Sequence, residues 1–340
     1  MKLLEILFYL FLIALPLGTR VLVYQFTPGF HEYESISLYA NDVFLILFLI
    51  IFLVKDRFQL VSWRIKPKFP FHISHFTLIF IFFAFLSIFF ATSTGLAIYN
   101  FARLGRLVGF AFAAGKILAE KKVLKRALAT IAVLAVIQSG IGFLQFKNQG
   151  ALGLKWLGES PISVFDGGTS KILVYPDPKA TMGVGVEGSR VVRAYGTFPH
   201  PNILAAFLIL GLFSLCYFWL VNFQRFEWKK STSYRDALHM YFPTLTRSLI
   251  YAVGIFIVLL GLVLTFSRSA WLITLIISLA SCIIASFSKD NRLQALKLFF
   301  VLVTSLLFIV FSLSLFVLPR ATISTGEPAV TYRLRYNELA

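Results

Sequence analysis

Charge is scarce in this chain, and acidic charge is scarcer still: of 340 residues only 14% are charged, with 15 Asp and Glu against 32 Lys and Arg. Soluble globular domains carry about 25% charged residues. With 58% hydrophobic residues and a mean hydropathy of +0.82, the composition excludes that class. The two cysteines, Cys216 and Cys282, lie inside apolar runs and read as small buried residues, so they say nothing of redox compartment. Several signatures are missing: a Walker-type loop, a His-Glu-x-x-His helix, a paired-cysteine metal site and an Asp-x-Asp pair. ATP, zinc and nucleotide-sugar chemistry lose ground accordingly, and no cofactor is expected. Glu32, Glu34, Asp42, Glu159, Asp166, Asp177 and Glu187 are scattered, so no carboxylate dyad emerges.

What the chain has instead is apolar length. Runs of about 17–22 residues recur, each enough at 1.5 Å per residue to cross a hydrocarbon core of about 30 Å. The expectation is an all-α, polytopic transmembrane helical bundle of about nine spans, at 3–23, 38–54, 73–91, 97–119, 127–146, 201–222, 249–265, 270–287 and 297–318. Segments 76–90 and 298–318 are apolar on every face, which excludes the alternating strands of a membrane barrel. Without a convincing cleavage site, the first span reads as a retained helix rather than a signal peptide. Four regions follow: a five-helix region 1–146, a long extracytoplasmic loop 147–200 between spans five and six, a four-helix region 201–318, and a segment 319–340 that reads as the start of a second, truncated outer loop. At about 54 residues the first loop far exceeds the usual 2–8 between helices, which marks it as functional. Short alternating runs at 171–175 and 190–195 argue for order within it.

The net charge of +17 reports topology. With the N-terminus in the cytoplasm, Lys55, Arg57, Arg64, Lys66 and Lys68 fall in one inner loop, and Lys116, Lys121, Lys122, Lys125 and Arg126 in or beside the next. Arg225, Lys229, Lys230, Arg235 and Arg247 occupy the third, and Lys289, Arg292 and Lys297 the last. This is the positive-inside pattern, so the implied partner is a lipid bilayer and not a nucleic acid.

Three clusters could carry chemistry. Arg103 and Arg106 sit three apart on one face of the fourth span. Entering near Leu96, they lie about 10 and about 15 Å below the outer surface by helical rise. An arginine at the midplane costs about 2.5–3.5 kcal/mol on insertion scales, so two need a reason. One reason is a structural pair with an acid such as Asp42; the other is an outward-facing pocket for an anion. Arg268 is the only charge between residues 248 and 288. Residues 249–287 would make about 58 Å of helix, too long for one crossing, so a hairpin must turn near Arg268 on the outer side. Thr265, Ser267 and Ser269 add hydroxyls that with Arg268 could hold a phosphate; an interfacial arginine touching lipid head groups is the plainer alternative. The third cluster, Arg190-Val-Val-Arg-Ala-Tyr-Gly-Thr-Phe-Pro-His-Pro-Asn202, closes the long loop and opens the sixth span. His200 and Asn202 could simply cap that helix. Alternatively they line a polar outer site with Arg190 and Arg193 as anion ligands and His200 as a base.

The block from Arg193 to Asn202, followed one helix pair later by Leu264-Thr-Phe-Ser-Arg-Ser-Ala, resembles the O-antigen ligase and polymerase family. The resemblance covers roughly residues 90–340 in spacing and hydropathy. It implies a multi-pass protein of the bacterial cytoplasmic (inner) membrane, N-terminus in the cytoplasm. Such a protein moves a glycan from undecaprenyl diphosphate to a glycan, lipid-core or protein acceptor at the outer face. By the same resemblance Arg193 and Arg268 match the family's basic positions, and transfer proceeds with inversion at the anomeric carbon. Members carry a further outer loop after the hairpin helices with a histidine and an arginine; this chain stops as that loop begins. Arg103, Arg106 and Arg190 are added as diphosphate ligands on the energetic argument, with Asn202, Ser267 and Ser269 in support. A transporter or lipid-carrier flippase is the alternative of a different class.

Overall fold

The structure is a computed structural model that describes residues 2–26, 35–59, 75–166, 168–173, 190–224, 234–287 and 292–312. Segment 319–340 and the basic residues at 64–68 and 225–230 lie outside the described residues. Among the described residues there are nine α-helices and four short strands. In chain order these are α1 (Lys2–Ala14), β1 (Arg20–Gln25), β2 (Ser35–Tyr39), α2 (Ala40–Gln59), α3 (His75–Leu86, continued by a 3₁₀ turn Ser87–Phe90), α4 (Thr94–Leu118) and α5 (Lys121–Asn148). Then follow β3 (Lys171–Leu173), β4 (Arg190–Val192), α6 (Pro201–Gln224), α7 (Tyr234–Leu264), α8 (Arg268–Ser286) and α9 (Arg292–Ser312).

Lys121–Asn148, Pro201–Val221 and Thr246–Leu264 are long and apolar enough to cross a membrane, with mean hydropathies of 2.1, 2.4 and 2.3. Phe76–Phe90, Arg268–Ser281 and Leu296–Ser312 form shorter apolar helices. Many of their large apolar side chains face outward, among them Phe76, Phe90, Leu249, Ile284 and Phe311, a surface suited to lipid rather than water.

The expected first span, 3–23, is corrected. Its helix ends at Ala14, because Pro16 cannot continue the ladder. The β-branched and aromatic run Val21–Tyr24 then forms β1, paired antiparallel with β2 from Arg20↔Tyr39 to Gln25↔Ser35. Among the described residues the fold is mostly helical, with two small two-stranded antiparallel sheets.

The chain divides into two compact units, residues 1–134 with 153–160, and residues 135–152 with 161–340. The core of the first is built on Leu4, Phe8 and Phe11 of α1 and on Leu45, Phe48 and Phe52 of α2, with Ala113 of α4 and Val123 of α5. The partly buried Phe110 ring packs against it, 4.5 Å from Phe11 and 5.7 Å from Phe48 between centroids, a spacing at which aromatic pairs attract beyond their buried area. In the second unit Leu204, Leu208 and Leu212 recur every fourth residue on the buried face of α6, and Ile255, Val258 and Leu262 line α7. Small residues let backbones approach there: a Cβ added at Gly261 would stand 2.5 Å from Ser139 Oγ and 3.0 Å from its Cα.

Candidate functional site

The geometry begins at the turn between α7 and α8. Thr265, Phe266 and Ser267 separate α7 from α8, so the helix breaks next to Arg268, where the sequence led us to expect a turn. Phe266 holds φ at +48°, a left-handed conformation that costs a non-glycine residue about 1–2 kcal/mol. Burial offsets this cost, since its ring is fully enclosed with Phe146 and Trp271 at 5.9 and 6.2 Å. The turn leaves the last carbonyls of α7 without helical donors. The Thr265 hydroxyl and the Phe266 N–H, both in the turn itself, satisfy Leu262 O (2.6 Å) and Val263 O (2.9 Å); from outside it the Trp271 indole N–H donates to Leu262 O (3.2 Å), the Ala194 N–H to Leu264 O (2.9 Å) and Arg193 Nε to Thr265 O (2.6 Å). A buried guanidinium thus sits at the negative end of the α7 dipole.

Arg193 reaches further. Its Nη1 donates to Ser170 Oγ (2.9 Å) and its Nη2 to Asn202 Oδ1 (2.8 Å), while the residue is only 5% exposed. One side chain therefore joins the head of α6, the loop before β3 and the α7–α8 turn. The two motifs singled out in the sequence meet at this guanidinium. β3 and β4, which fall in the expected alternating runs, pair antiparallel from Lys171↔Val192 to Leu173↔Arg190 and deliver Arg193 to the turn.

Two buried glutamines fix the segment that follows. Gln145 Oε1 accepts the N–H groups of Tyr195 (3.1 Å) and Gly196 (2.8 Å), and its Nε2 donates to Gly196 O (2.7 Å). Two helical turns earlier on α5, Gln138 Oε1 accepts the Thr197 N–H (2.9 Å) and hydroxyl (3.2 Å). Gly196 holds φ at +59°, and a Cβ there would stand 2.4 Å from Gln138 Oε1, so glycine is required. This clamp was not anticipated from the sequence. Its signal was two amides seven residues apart in an otherwise apolar span.

His200 Nδ1 accepts the Asn202 N–H at 3.1 Å and its carbonyl accepts the N–H groups of Ile203 and Leu204, the geometry of a helix cap. In its neutral form the ring therefore carries its proton on Nε2. Tyr195 lies beside it, with ring centroids 6.4 Å apart, and its hydroxyl accepts the Ser170 N–H at 2.6 Å. Burial pushes the Tyr195 hydroxyl above its ordinary pKa of 10.0, opposed by the Ser170 N–H and the Arg193 charge.

Comparison with family models, curated proteins and solved structures finds no match. The resemblance to O-antigen ligases and polymerases therefore rests on the motif residues themselves.

The remaining candidates are placed as follows. Ser267 is buried and its carbonyl accepts the Trp271 N–H (3.0 Å). Arg268, the first residue of α8, is half-buried, and Ser269 is exposed. Arg190 is exposed on β4. In the first unit, Arg106 Nη2 pairs with Asp42 Oδ1 at 3.0 Å, while Asp42 Oδ2 accepts the Tyr39 N–H at the start of α2. That is the structural pairing weighed above. Arg106 Nε is buried without a hydrogen-bond partner, and Arg103, three residues earlier on α4, is exposed. Glu159 Oε2 accepts the Leu154 N–H and Asp166 Oδ1 the Gly168 N–H, so both brace local turns. Among the described residues no group of three His, Cys, Asp or Glu could hold a metal ion.

Proposed function

We propose that this chain belongs to an integral membrane glycan ligase or polymerase. It would move an oligosaccharide or polysaccharide from undecaprenyl diphosphate to an acceptor at the outer face of the bacterial cytoplasmic membrane. The reading takes all nine helices as spans, with the N-terminus in the cytoplasm. The observation that carries it is the Arg193 guanidinium, which ties the head of α6 to the α7–α8 turn. Two helix N-termini, with Asn202 on one and Ser267, Arg268 and Ser269 on the other, are thereby held in one neighbourhood.

In this reading the anomeric C–O bond to the diphosphate breaks as the acceptor oxygen bonds to that carbon. The lipid diphosphate leaves with the electron pair. Its charge falls on Arg268, the flanking serine hydroxyls and the positive end of the α8 dipole, which stabilise it by preorganised dipoles. Arg193 holds the frame and adds field at the site, with Nε, Nη1 and Nη2 each bonded to a protein acceptor. The acceptor hydroxyl's proton passes to a general base. His200 takes that role only after its Nδ1 releases the Asn202 N–H.

Transfer of a labelled glycan from undecaprenyl diphosphate in proteoliposomes tests this assignment. Arg268→Ala is expected to abolish transfer with insertion and abundance unchanged, and a variant as active as the parent would sink it. The flippase alternative draws on the Arg106–Asp42 pair with its unbonded Nε, since ionisable pairs inside membranes commonly mark substrate paths. Movement of the lipid-linked glycan between leaflets without transfer would favour it.

A further inference from the structure

In an extended strand, residues three apart face opposite ways. Arg193 turns inward and is buried; Arg190, at the other end of β4, turns outward. There it lines a hollow of about 370 Å³ together with Phe146, Lys147, Gln149, Val164 and Val191, a volume within the range of small-molecule sites. Lys147 lies in the last turn of α5, where the negative end of the helix dipole favours a cation.

The hollow is held open by its own hydrogen bonds. Gln149, with φ at +54°, accepts the Val192 N–H (2.8 Å) through Oε1 and donates from Nε2 to Phe146 O, fixing both walls. Phe146 is backed by Phe266 at 5.9 Å. The Lys171 ammonium donates to Val164 O, which places a third cation behind the Val164 wall. Asp166, on the same segment, spends Oδ1 on the Gly168 N–H. Neither the Lys147 nor the Arg190 side chain makes a hydrogen bond or ion pair with another described residue.

Two cations at the rim of an apolar hollow, neither paired with a described acid, repel each other, and an anion seated between them removes that repulsion. We infer that the hollow binds a single carboxylate or phosphate group carried on a body whose apolar face lies on Phe146, Val164 and Val191. Two sources fit this chemistry, an acidic saccharide and a phospholipid head group. At about 3.3 Å per residue along the strand, Arg190 stands about 10 Å from Arg193. The hollow is therefore a neighbouring subsite rather than the place of bond breaking. Its saccharide form rests on the glycan-transfer reading; its preference for anions does not.

The test uses the full-length protein in nanodiscs of phosphatidylcholine and measures equilibrium binding of a fluorescent oligogalacturonate and of a neutral maltooligosaccharide of equal length. The acidic probe is expected to bind at least about tenfold more tightly, from two charge-assisted contacts. The double variant Lys147→Gln/Arg190→Gln should lose about that tenfold for the acidic probe alone, with unfolding temperature unchanged because both side chains are exposed. Equal binding of the two probes, or a double variant that holds the acidic probe as tightly as the parent, would overturn the inference. Discs doped with phosphatidylglycerol separate the sources. If that lipid displaces the acidic probe from the parent and not from the double variant, the anion site stands with a lipid head group as its occupant. Selective acidic binding by a protein that never transfers glycan would leave the subsite standing and the transfer reading fallen; transfer with unselective binding would do the reverse.

Discussion

Replacing Gln145 by Leu keeps the volume of a fully buried side chain and removes three hydrogen bonds at once. The Tyr195 and Gly196 N–H groups lose their acceptor, and the Gly196 carbonyl loses its donor. A buried polar group left unsatisfied costs about 1–3 kcal/mol, so after partial relaxation the segment 195–197 should open more easily by about 3–6 kcal/mol. At 1.4 kcal/mol per factor of ten, this corresponds to amide exchange about 100-fold to about 20,000-fold faster. Hydrogen exchange read by fragmentation mass spectrometry on the detergent-solubilised protein measures it residue by residue. Thr197 is the informative position, because its own acceptor, Gln138, is untouched by the change. If the glutamines hold one cooperative unit, Thr197 accelerates with its neighbours. Thr197 exchange within about threefold of the parent, beside fast Tyr195 and Gly196, would refute the clamp.

Arg193→Met strands the buried Thr265 carbonyl and should lower stability by about 3–5 kcal/mol, with Arg193→Lys recovering only part because one ammonium cannot reach three separated acceptors; thermal unfolding in detergent measures both. Asp42→Asn leaves the Arg106 guanidinium deep in α4 without its counter-charge and should destabilise by about 3–5 kcal/mol, whereas the double change Asp42→Asn/Arg106→Leu recovers most of the loss. Burial raises the Tyr195 pKa, so the unfolded chain ionises first: this residue's contribution is complete below pH 10.0 and is lost as pH rises through the folded value. The difference in unfolding temperature between the parent and Tyr195→Phe should therefore shift only above about pH 10.

The helices were legible because long apolar runs have few alternatives, and the break between α7 and α8 because one arginine interrupts a stretch too long for a single crossing. The β1–β2 hairpin was hidden by hydropathy: residues 3–23 read as one apolar run, and only the Pro16-Leu-Gly18 turn signal marks the break. At the candidate site each motif was visible, yet the bond from Arg193 to the α7–α8 turn joins residues 72 apart and follows from tertiary packing alone. The glutamine clamp was hidden because neither amide carries charge, and charge is what the cost of entering a membrane singles out. Uncharged amides answer a different need there, the unsatisfied backbone of an irregular segment packed on a helix. Energetic reasoning did supply both readings of Arg106, and the pairing with Asp42 is one of them. The cap geometry of His200 was likewise one of two alternatives, chosen by a single Nδ1 contact that spacing could not reveal.

The most direct measurement is transfer of a labelled glycan from undecaprenyl diphosphate to acceptor in proteoliposomes holding this protein, with no nucleotide added. The account predicts transfer that Arg268→Ala removes; lipid-linked glycan that crosses between leaflets while no acceptor is ever labelled would contradict it.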